Sequence, residues 1–296
     1  MFKMKRVAFI CFLFMLPLLL SAKGKQAFMV GISKYHENGR TAWTNIHGAE
    51  DVDMLEPELK RQGFSVMALR DEEATCKGIK NGLEKFIKKL RKGDIVYVHF
   101  SCHGQPVEDG LNGMPKEEAD GWDESIVPID AGIQYEAQAG GYKGDKHITD
   151  DELNEYFSNI RKIIGEKGVL YVVFDACHAG EMSRGFETVR GTNEGISRSG
   201  AMYDYHNADN QKHYESKRAT GSAPALFLEA CTSRERNSEI KIQGKECGSL
   251  SYNVLHALKT NSLGKNPSQF EADVTNSTKQ PQRWPRRQHL VSEKSY

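Results

Sequence analysis

Two long apolar runs, the first broken only by His99, dominate the hydrophobic pattern of the chain. Residues 95–100 (IVYVHF) are followed closely by His103, and residues 169–174 (VLYVVF) are followed closely by Cys177. Apolar runs of this length are typical of strands buried on both faces, as in a parallel sheet. Polar residues just after such strands lie where open α/β sheets bind their ligands. The two strand ends therefore offer an imidazole and a thiol to one site.

The rest of the first hundred residues alternates between strand and helix patterns. Strand patterns cover residues 26–33 and 64–69, and amphipathic helical patterns cover residues 48–62 and 76–91. Alternation of this kind predicts an α/β fold, a doubly wound sandwich with a mostly parallel sheet and helices on both faces.

A similar alternation continues in the second half of the chain. Thr149 and Glu152 form a capping box that opens a helix reaching about residue 164. Residues 223–230 predict another strand, and residues 248–259 predict a last helix. We place one domain at residues 23–260 and leave the structure of the polar tail, residues 261–296, open.

The amino terminus has a different character. Three basic residues precede an apolar run at residues 7–20, and small residues up to Ala22 follow. This arrangement predicts a secretory signal peptide at residues 1–22, with export to the periplasm or the medium and no stable membrane anchor after cleavage. The alternative is an uncleaved anchor, for which the apolar run is short.

Composition narrows the class of protein. The 40 basic and 40 acidic residues give a net charge of +0, which provides no electrostatic footprint for nucleic acid. Mean hydropathy is −0.58, typical of a soluble globular chain. One of the 6 cysteines lies in the predicted signal peptide, so an odd number remains, and no CxxC pair suggests a zinc ribbon.

The chemistry at the two strand ends fits a cysteine nucleophile. Such an enzyme needs a thiolate, a nearby imidazole and donors for an oxyanion, which Cys177, His103 and the backbone around Gly104 would supply. Any single cysteine in a core strand is more often a packing residue, and this is our interpretation of Cys102. A metal site with two cysteines and two histidines is the rival, but adjacent residues such as Cys177 and His178 face opposite sides of an extended chain.

These residues also resemble a known family. The patterns Ser-x-His-Gly at residues 101–104 and Asp-x-Cys-His-x-Gly at residues 175–180 resemble those of the caspase family of cysteine peptidases, and its metacaspase branch is the closer match. The likeness covers about residues 26–259. Further segments that resemble the family are GAED at 48–51, DGWDE at 120–124, ITDDEL at 148–153, EAC at 229–231 and GSLSY at 248–252.

The resemblance implies a caspase-like α/β/α sandwich and a cysteine-type endopeptidase with a His103/Cys177 dyad. It also implies that Asp51, Ser101, Asp150 and Asp175 line the substrate pocket. Carboxylates there would bind peptide or protein substrates with Arg or Lys at P1 and repel aspartate. Asp51 and Asp150 also fit the simpler role of acidic residues in a first helical turn. The alternative function is a catalytically silent caspase-like module that binds peptides or partners.

The resemblance extends to a calcium site, although no cofactor is required for the proposed chemistry. Asp123, Asp150 and Asp151 match three calcium-binding positions of metacaspases. The fourth position falls on Arg184, which would repel a cation.

The segment at residues 181–222 has almost no apolar periodicity, which predicts an exposed and cleavable loop. An enzyme that cuts after basic residues is expected to be able to process itself there. The basic side chains of this segment are Arg184, Arg190, Arg198, Lys212, Lys217 and Arg218.

Overall fold

A computed structural model describes most of the chain after the predicted signal peptide. The described residues are 24–35, 43–111, 120–177, 188–208 and 210–295. The signal peptide predicted at residues 1–22 lies outside them, as do His178, Gly180 and Arg184.

Strands and helices alternate in the described part of the chain. The strands are β1 Lys25–Gly31, β2 Ser65–Arg70, β3 Ile95–Ser101, β4 His103–Glu108, β5 Trp122–Val127, β6 Ile148–Thr149, β7 Val169–Asp175, β8 His213–Ser216, β9 Ala225–Glu229, β10 Ile240–Ile242, β11 Lys245–Cys247 and β12 Val291–Ser295. The helices are α1 Gly48–Arg61, α2 Cys76–Ile87, α3 Asp150–Ile164, α4 Ser249–Thr260 and α5 Pro267–Thr278.

The main sheet has seven strands in the order β2-β1-β3-β7-β9-β12-β8. The first five run parallel to one another, and β12 pairs antiparallel with β9 and parallel with β8. The apolar run that ends near His103 is thus β3, and its neighbour in the sheet is β7, which ends near Cys177. The prediction of an α/β fold with a mostly parallel sheet is confirmed.

Each face of the main sheet carries its own apolar core. Alternate residues of the central strands point to opposite faces, so that Phe28 belongs to one cluster and Met29 to the other. Helices α2 and α3 cover the first face, and α1, α4 and α5 cover the second. Coverage on both faces explains why every residue of β3 is buried and why most of its residues are apolar.

A second, smaller sheet continues from the end of β3. The chain passes through the buried residue Cys102, which packs in the first cluster, and enters β4 directly. Strand β4 pairs antiparallel with β5, and β5 pairs antiparallel with β6. The DGWDE segment therefore contributes to a strand of this sheet, beside the end of β3.

The prediction of an exposed loop at residues 181–222 is wrong for part of that segment. Residues 188–192 lie against the ends of β4 and β7, and Arg190 is 0% exposed. Residues 213–216 form the edge strand β8. The sequence pattern missed the buried part because its central residue is charged and depends on distant carboxylates for burial.

The polar tail completes the fold. Phe270 and Val274 of α5 pack in the second cluster, and β12 lies between β9 and β8 in the main sheet. The domain therefore extends beyond the predicted boundary at residue 260. In the ranges described, no helix has the length and apolar character needed to cross a membrane.

Candidate active site

Parallel pairing of β3 and β7 sets the positions of His103 and Cys177. Ser101 at the end of β3 is paired with Asp175 at the end of β7. His103 and Cys177 each follow two residues later, so both lie at the same edge of the sheet.

The surroundings of His103 fix which ring nitrogen carries the proton. Its Nε2 lies 2.8 Å from the carbonyl oxygen of Thr44, which only accepts hydrogen bonds, so Nε2 is the donor. Its Nδ1 is buried and has no hydrogen-bond partner among the described residues. The ring packs against Tyr35 and Trp43, at centroid distances of 4.9 and 4.7 Å. Burial lowers the pKa of His103 to about 4, so the imidazole is neutral near pH 7 and Nδ1 is available as a base.

Cys177 is buried beside a second cysteine. Its thiol donates a hydrogen bond of 2.9 Å to the carbonyl oxygen of Glu235. Cys231 lies next to it, and the hydrogen bond between the two thiols together with burial holds the pKa of Cys231 well above its usual range. The five described cysteines form no disulfide with one another.

Two backbone N–H groups at the strand ends point at one oxygen atom. The N–H of Cys177 and the N–H of Gly104 donate to the carbonyl oxygen of Arg190, at 2.9 and 3.3 Å. Two donors converging on a carbonyl oxygen beside a thiol have the geometry that stabilises a developing oxyanion.

The side chain of Arg190 lies in an acidic pocket next to these donors. Its guanidinium is 2.8 Å from Asp51, 3.7 Å from Asp175 and 2.7 Å from Glu239. It also donates a hydrogen bond of 2.5 Å to Ser101. The structure thus brings together three of the four predicted pocket residues.

Close packing of α1 on β3 places Asp51 in this pocket. A Cβ atom on Gly48 would lie only 2.1 Å from the carbonyl oxygen of Ser101, so the start of the helix tolerates no side chain there. Ser101 then donates a hydrogen bond of 2.7 Å to Asp51. The GAED segment thus provides the glycine that allows the close packing and the aspartate that lies in the pocket.

The pocket carboxylates differ in their titration. Burial raises the pKa of Asp51 to about 6, with the Arg190 charge opposing and the Asp175 charge adding to the rise. Burial would also raise the pKa of Asp175, but the Arg190 charge and hydrogen bonds from Asn237 and Ser251 outweigh it and lower the pKa. Asp175 is therefore the firmer anion of the pair at neutral pH.

A chain of buried hydrogen bonds holds Asp175 in place. The backbone N–H and the hydroxyl of Ser251 both donate to it at 2.7 Å, and Asn237 donates at 2.7 Å. Because Ser251 uses its hydrogen for Asp175, its oxygen accepts from His99 Nε2 at 3.1 Å. The GSLSY segment thus contributes Ser251 to the pocket, and Gly248 donates its N–H to Asp51 at 3.0 Å.

Glu239 is a pocket residue that the sequence analysis missed. It precedes the β10–β11 hairpin, whose turn residues Gln243 and Gly244 both have positive φ, 50° and 84°. A turn of this kind predicts a hairpin, but it does not predict which way Glu239 points. Thr44 and Asn237 also carried no signal in the sequence.

Asp150 is not part of the acidic pocket, contrary to expectation. It begins α3, which covers the opposite face of the main sheet from α1, and its side chain is exposed. It lines a separate cavity of about 370 Å³ that also borders Phe174, Ala176 and Cys231. Its place on the far face of the sheet keeps it away from Arg190.

The three aspartates of the predicted calcium site are not gathered into one cluster. Among the described residues, the one group of three close metal-binding side chains is His47, Glu239 and Glu246. Asp123 is buried on β5, while Asp150 is exposed at the start of α3. The calcium site stays a prediction, and we assign no catalytic step to a metal.

Comparisons with known proteins agree with this architecture. A sequence profile of the caspase domain matches residues 25–282. Metacaspase-1A of Aspergillus terreus is 24% identical over 293 residues, covering 86% of this chain and 66% of the relative. Metacaspase-1B of Neurospora crassa is 23% identical over 289 residues, covering 85% and 62%. The chain thus spans somewhat less than two thirds of the length of these relatives.

A solved structure shows the same fold. A protein of Geobacter sulfurreducens with a known crystal structure matches with a TM-score of 0.59 and 19% identity, over 92% of this chain and 93% of that one. The caspase domain profile covers most of the present chain, and the similar curated proteins are metacaspases. The chain belongs to the caspase domain family, in its metacaspase branch.

Proposed function

We propose that this protein is a cysteine endopeptidase that cuts peptide and protein substrates after arginine or lysine. The observation that carries the proposal is the environment of Arg190. Its guanidinium lies among Asp51, Asp175 and Glu239, while its carbonyl oxygen accepts two N–H groups beside the thiol of Cys177. A basic P1 side chain of a substrate would have the same partners.

In this proposal, Cys177 is the nucleophile and His103 is the base. The neutral imidazole takes the thiol proton on Nδ1, and the thiolate attacks the scissile carbonyl carbon. The N–H groups of Cys177 and Gly104 stabilise the oxyanion. His103 then gives the proton to the leaving amine, and water hydrolyses the thioester. The Thr44 carbonyl keeps the imidazole in the required tautomer throughout.

The proposal is tested with short fluorogenic peptides that bear Arg, Lys, Asp or Ala at P1. We expect turnover of the Arg and Lys peptides, and a loss of roughly 10³-fold or more in kcat for Cys177→Ala and for His103→Ala. Cys76→Ala is the matched control, because this cysteine begins α2 and donates its backbone N–H to Asp130, outside the group of residues around Arg190 and Cys177. The reactions are run with reduced thiols, with calcium and with a chelator.

Each other result has a definite meaning. Preferential turnover of the Asp peptide would retain the dyad and refute the acidic pocket. Activity that survives Cys177→Ala would refute the nucleophile. A folded, reduced protein that binds Arg peptides without cutting them would point to the silent binding module. Turnover that the chelator abolishes and calcium restores would support the predicted calcium site.

We also propose export of the protein, based on the amino-terminal pattern alone. The expected mature chain begins at Lys23. Amino-terminal sequencing of the protein recovered from its native host tests this, and a chain that retains Met1 would contradict it.

A further inference from the structure

Residues 188–196 cross the candidate active site as an extended peptide would. On one side, Glu239 N–H donates to the Thr188 carbonyl at 2.9 Å and Arg190 N–H donates to the Asn237 carbonyl at 3.0 Å, around an antiparallel bridge between Val189 and Ser238. Such backbone pairing on an exposed edge is a common way to bind a peptide.

The same segment continues along β4 on the other side of the thiol. Gly191 forms a parallel bridge with Gly104. Further on, the Ile196 N–H donates to the Pro106 carbonyl at 2.9 Å, and the Ile196 carbonyl accepts from the Glu108 N–H at 2.8 Å. The backbone is therefore held on both sides of the bond between Arg190 and Gly191.

The arginine at the centre of this segment is bound as a specific ligand. A fully buried guanidinium is unfavourable unless carboxylates and hydrogen bonds replace its hydration. Arg190 is 0% exposed and has three carboxylate partners, and their charges hold its pKa well above the usual value against the effect of burial. Packing of the loop by shape complementarity alone would not require three carboxylates around a buried guanidinium.

The residue after the arginine is also constrained. A Cβ atom on Gly191 would lie 1.9 Å from the carbonyl oxygen of Cys177 and 3.0 Å from that of Gly104. Only glycine allows the segment to approach the cysteine this closely at this position. The close approach keeps the Arg190 carbonyl within reach of both N–H donors.

We propose that Arg190–Gly191 is a self-cleavage site and that the uncut chain blocks its own substrate pocket with Arg190. This inference rests on the proposed peptidase function. It adds the bond that is cut, the direction in which a peptide chain crosses the site, and the residue that blocks the pocket before the cut. Cys177 is thirteen positions before Arg190 in the same chain, so the reaction is intramolecular.

The step balances with the groups present and water. The Cys177 thiol leaves the Glu235 carbonyl and gives its proton to Nδ1 of His103. The Sγ–C bond to Arg190 forms, the C–N bond to Gly191 breaks, and the glycine amine leaves with the proton from His103. Water then hydrolyses the thioester, which regenerates the thiol and leaves a carboxylate on Arg190. The product chains end at Arg190 and begin at Gly191.

The test follows the full-length chain after cell-free synthesis, by intact mass and amino-terminal sequencing. We expect a new amino terminus with the sequence GTNEG, formed at a rate independent of protein concentration. The cut is lost in Cys177→Ala and Arg190→Gln, and it persists in the control Arg198→Gln, since Arg198 is an exposed arginine of the same segment. Because Arg190→Gln leaves buried carboxylates without their cation, Arg190→Lys is made as well, and it retains a slower cut at the same bond.

A parallel assay with the Arg peptide separates this inference from the proposed function. Its turnover is expected to lag and to rise with the appearance of the new terminus. Peptide turnover by a chain that stays whole would overturn the inference and leave the peptidase intact. A cut elsewhere, a cut that persists in Cys177→Ala, or a rate that depends on concentration would also overturn it. A chain that neither cuts itself nor turns over peptides would overturn both.

Discussion

Glu239 binds two basic side chains at once in the candidate active site. One oxygen lies 2.7 Å from the guanidinium of Arg190, and the other lies 2.6 Å from Nδ1 of His47. Burial opposes ionisation of Glu239, but these two partners outweigh it and lower its pKa. Glu239 is therefore an anion that takes part in substrate selection under the proposed function, alongside Asp175.

Replacement of Glu239 by glutamine tests this role. We expect KM for Arg peptides to rise by roughly 10-fold or more with little change in kcat, because a buried charge-assisted hydrogen bond is weakened away from the reacting atoms. Glu246→Gln is the control on the same hairpin, since the Glu246 side chain is 41% exposed. An equal change in both variants, or an effect on kcat alone, would contradict the assignment.

At the scale of elements, the site depends on segments that are far apart in the sequence. One of these segments is the tail between α5 and β12, which contributes the buried residue Gln288. Its amide donates to the Ala230 carbonyl at 2.9 Å and to the Ser249 hydroxyl at 2.7 Å, and its oxygen accepts from Ser238 N–H at 3.1 Å. Gln288 thus connects the residue after β9, the start of α4 and residues 237–239, which pair with the backbone around Arg190.

Replacement of Gln288 by alanine is expected to lower the free energy of unfolding by about 2 kcal/mol, because the variant loses several buried hydrogen bonds at once. The thermal unfolding midpoint measures this. KM for Arg peptides should also rise, because Asn237 loses the hydrogen bond that the Gln288 amide donates to it at 3.1 Å. Gln280→Ala, at an exposed position just after α5, is the control. Equal midpoints for the two variants would show that the tail network contributes nothing.

At the scale of the whole molecule, the covered sheet buries several titratable groups. Burial lowers the pKa values of His99 and His103 to about 4 and that of His147 to about 3. An unfolded histidine has a pKa near ~6.5. Between these pKa values the unfolded chain binds protons that the folded chain does not. The contribution of the buried histidines to the free energy of unfolding is therefore complete above about pH 6.5 and is lost as the pH falls.

Denaturant unfolding between pH 7 and pH 4.5 tests this behaviour. Each buried histidine is expected to contribute up to about 3 kcal/mol of the loss over its full range. His99→Gln, which can bind Tyr97 and Ser251 as the histidine does, should make the pH dependence shallower. His206→Asn, at an exposed position, should leave it unchanged. Identical slopes for wild type and His99→Gln would contradict the prediction.

The sequence by itself determined the layered α/β fold and the placement of His103 and Cys177 at one edge of the sheet. Both follow from local patterns: apolar runs mark strands buried on both faces, and parallel strands bring their carboxyl ends to one edge. Family motifs added Asp51, Ser101 and Asp175 to the candidate pocket. These residues lie within or directly beside regular elements, where position along the chain fixes direction in space.

Only the tertiary structure decided which charged groups share the pocket. Glu239 lies in the pocket, although no sequence pattern indicated it, and Asp150 lies on the opposite face of the sheet. Arg190, which was predicted in a surface loop, is buried at the centre of the site. The physical reason is that a buried charge is stable only beside its counter-charges. Those partners come from α1, β7 and the residue before β10, and no pattern local to any one of them reveals the others.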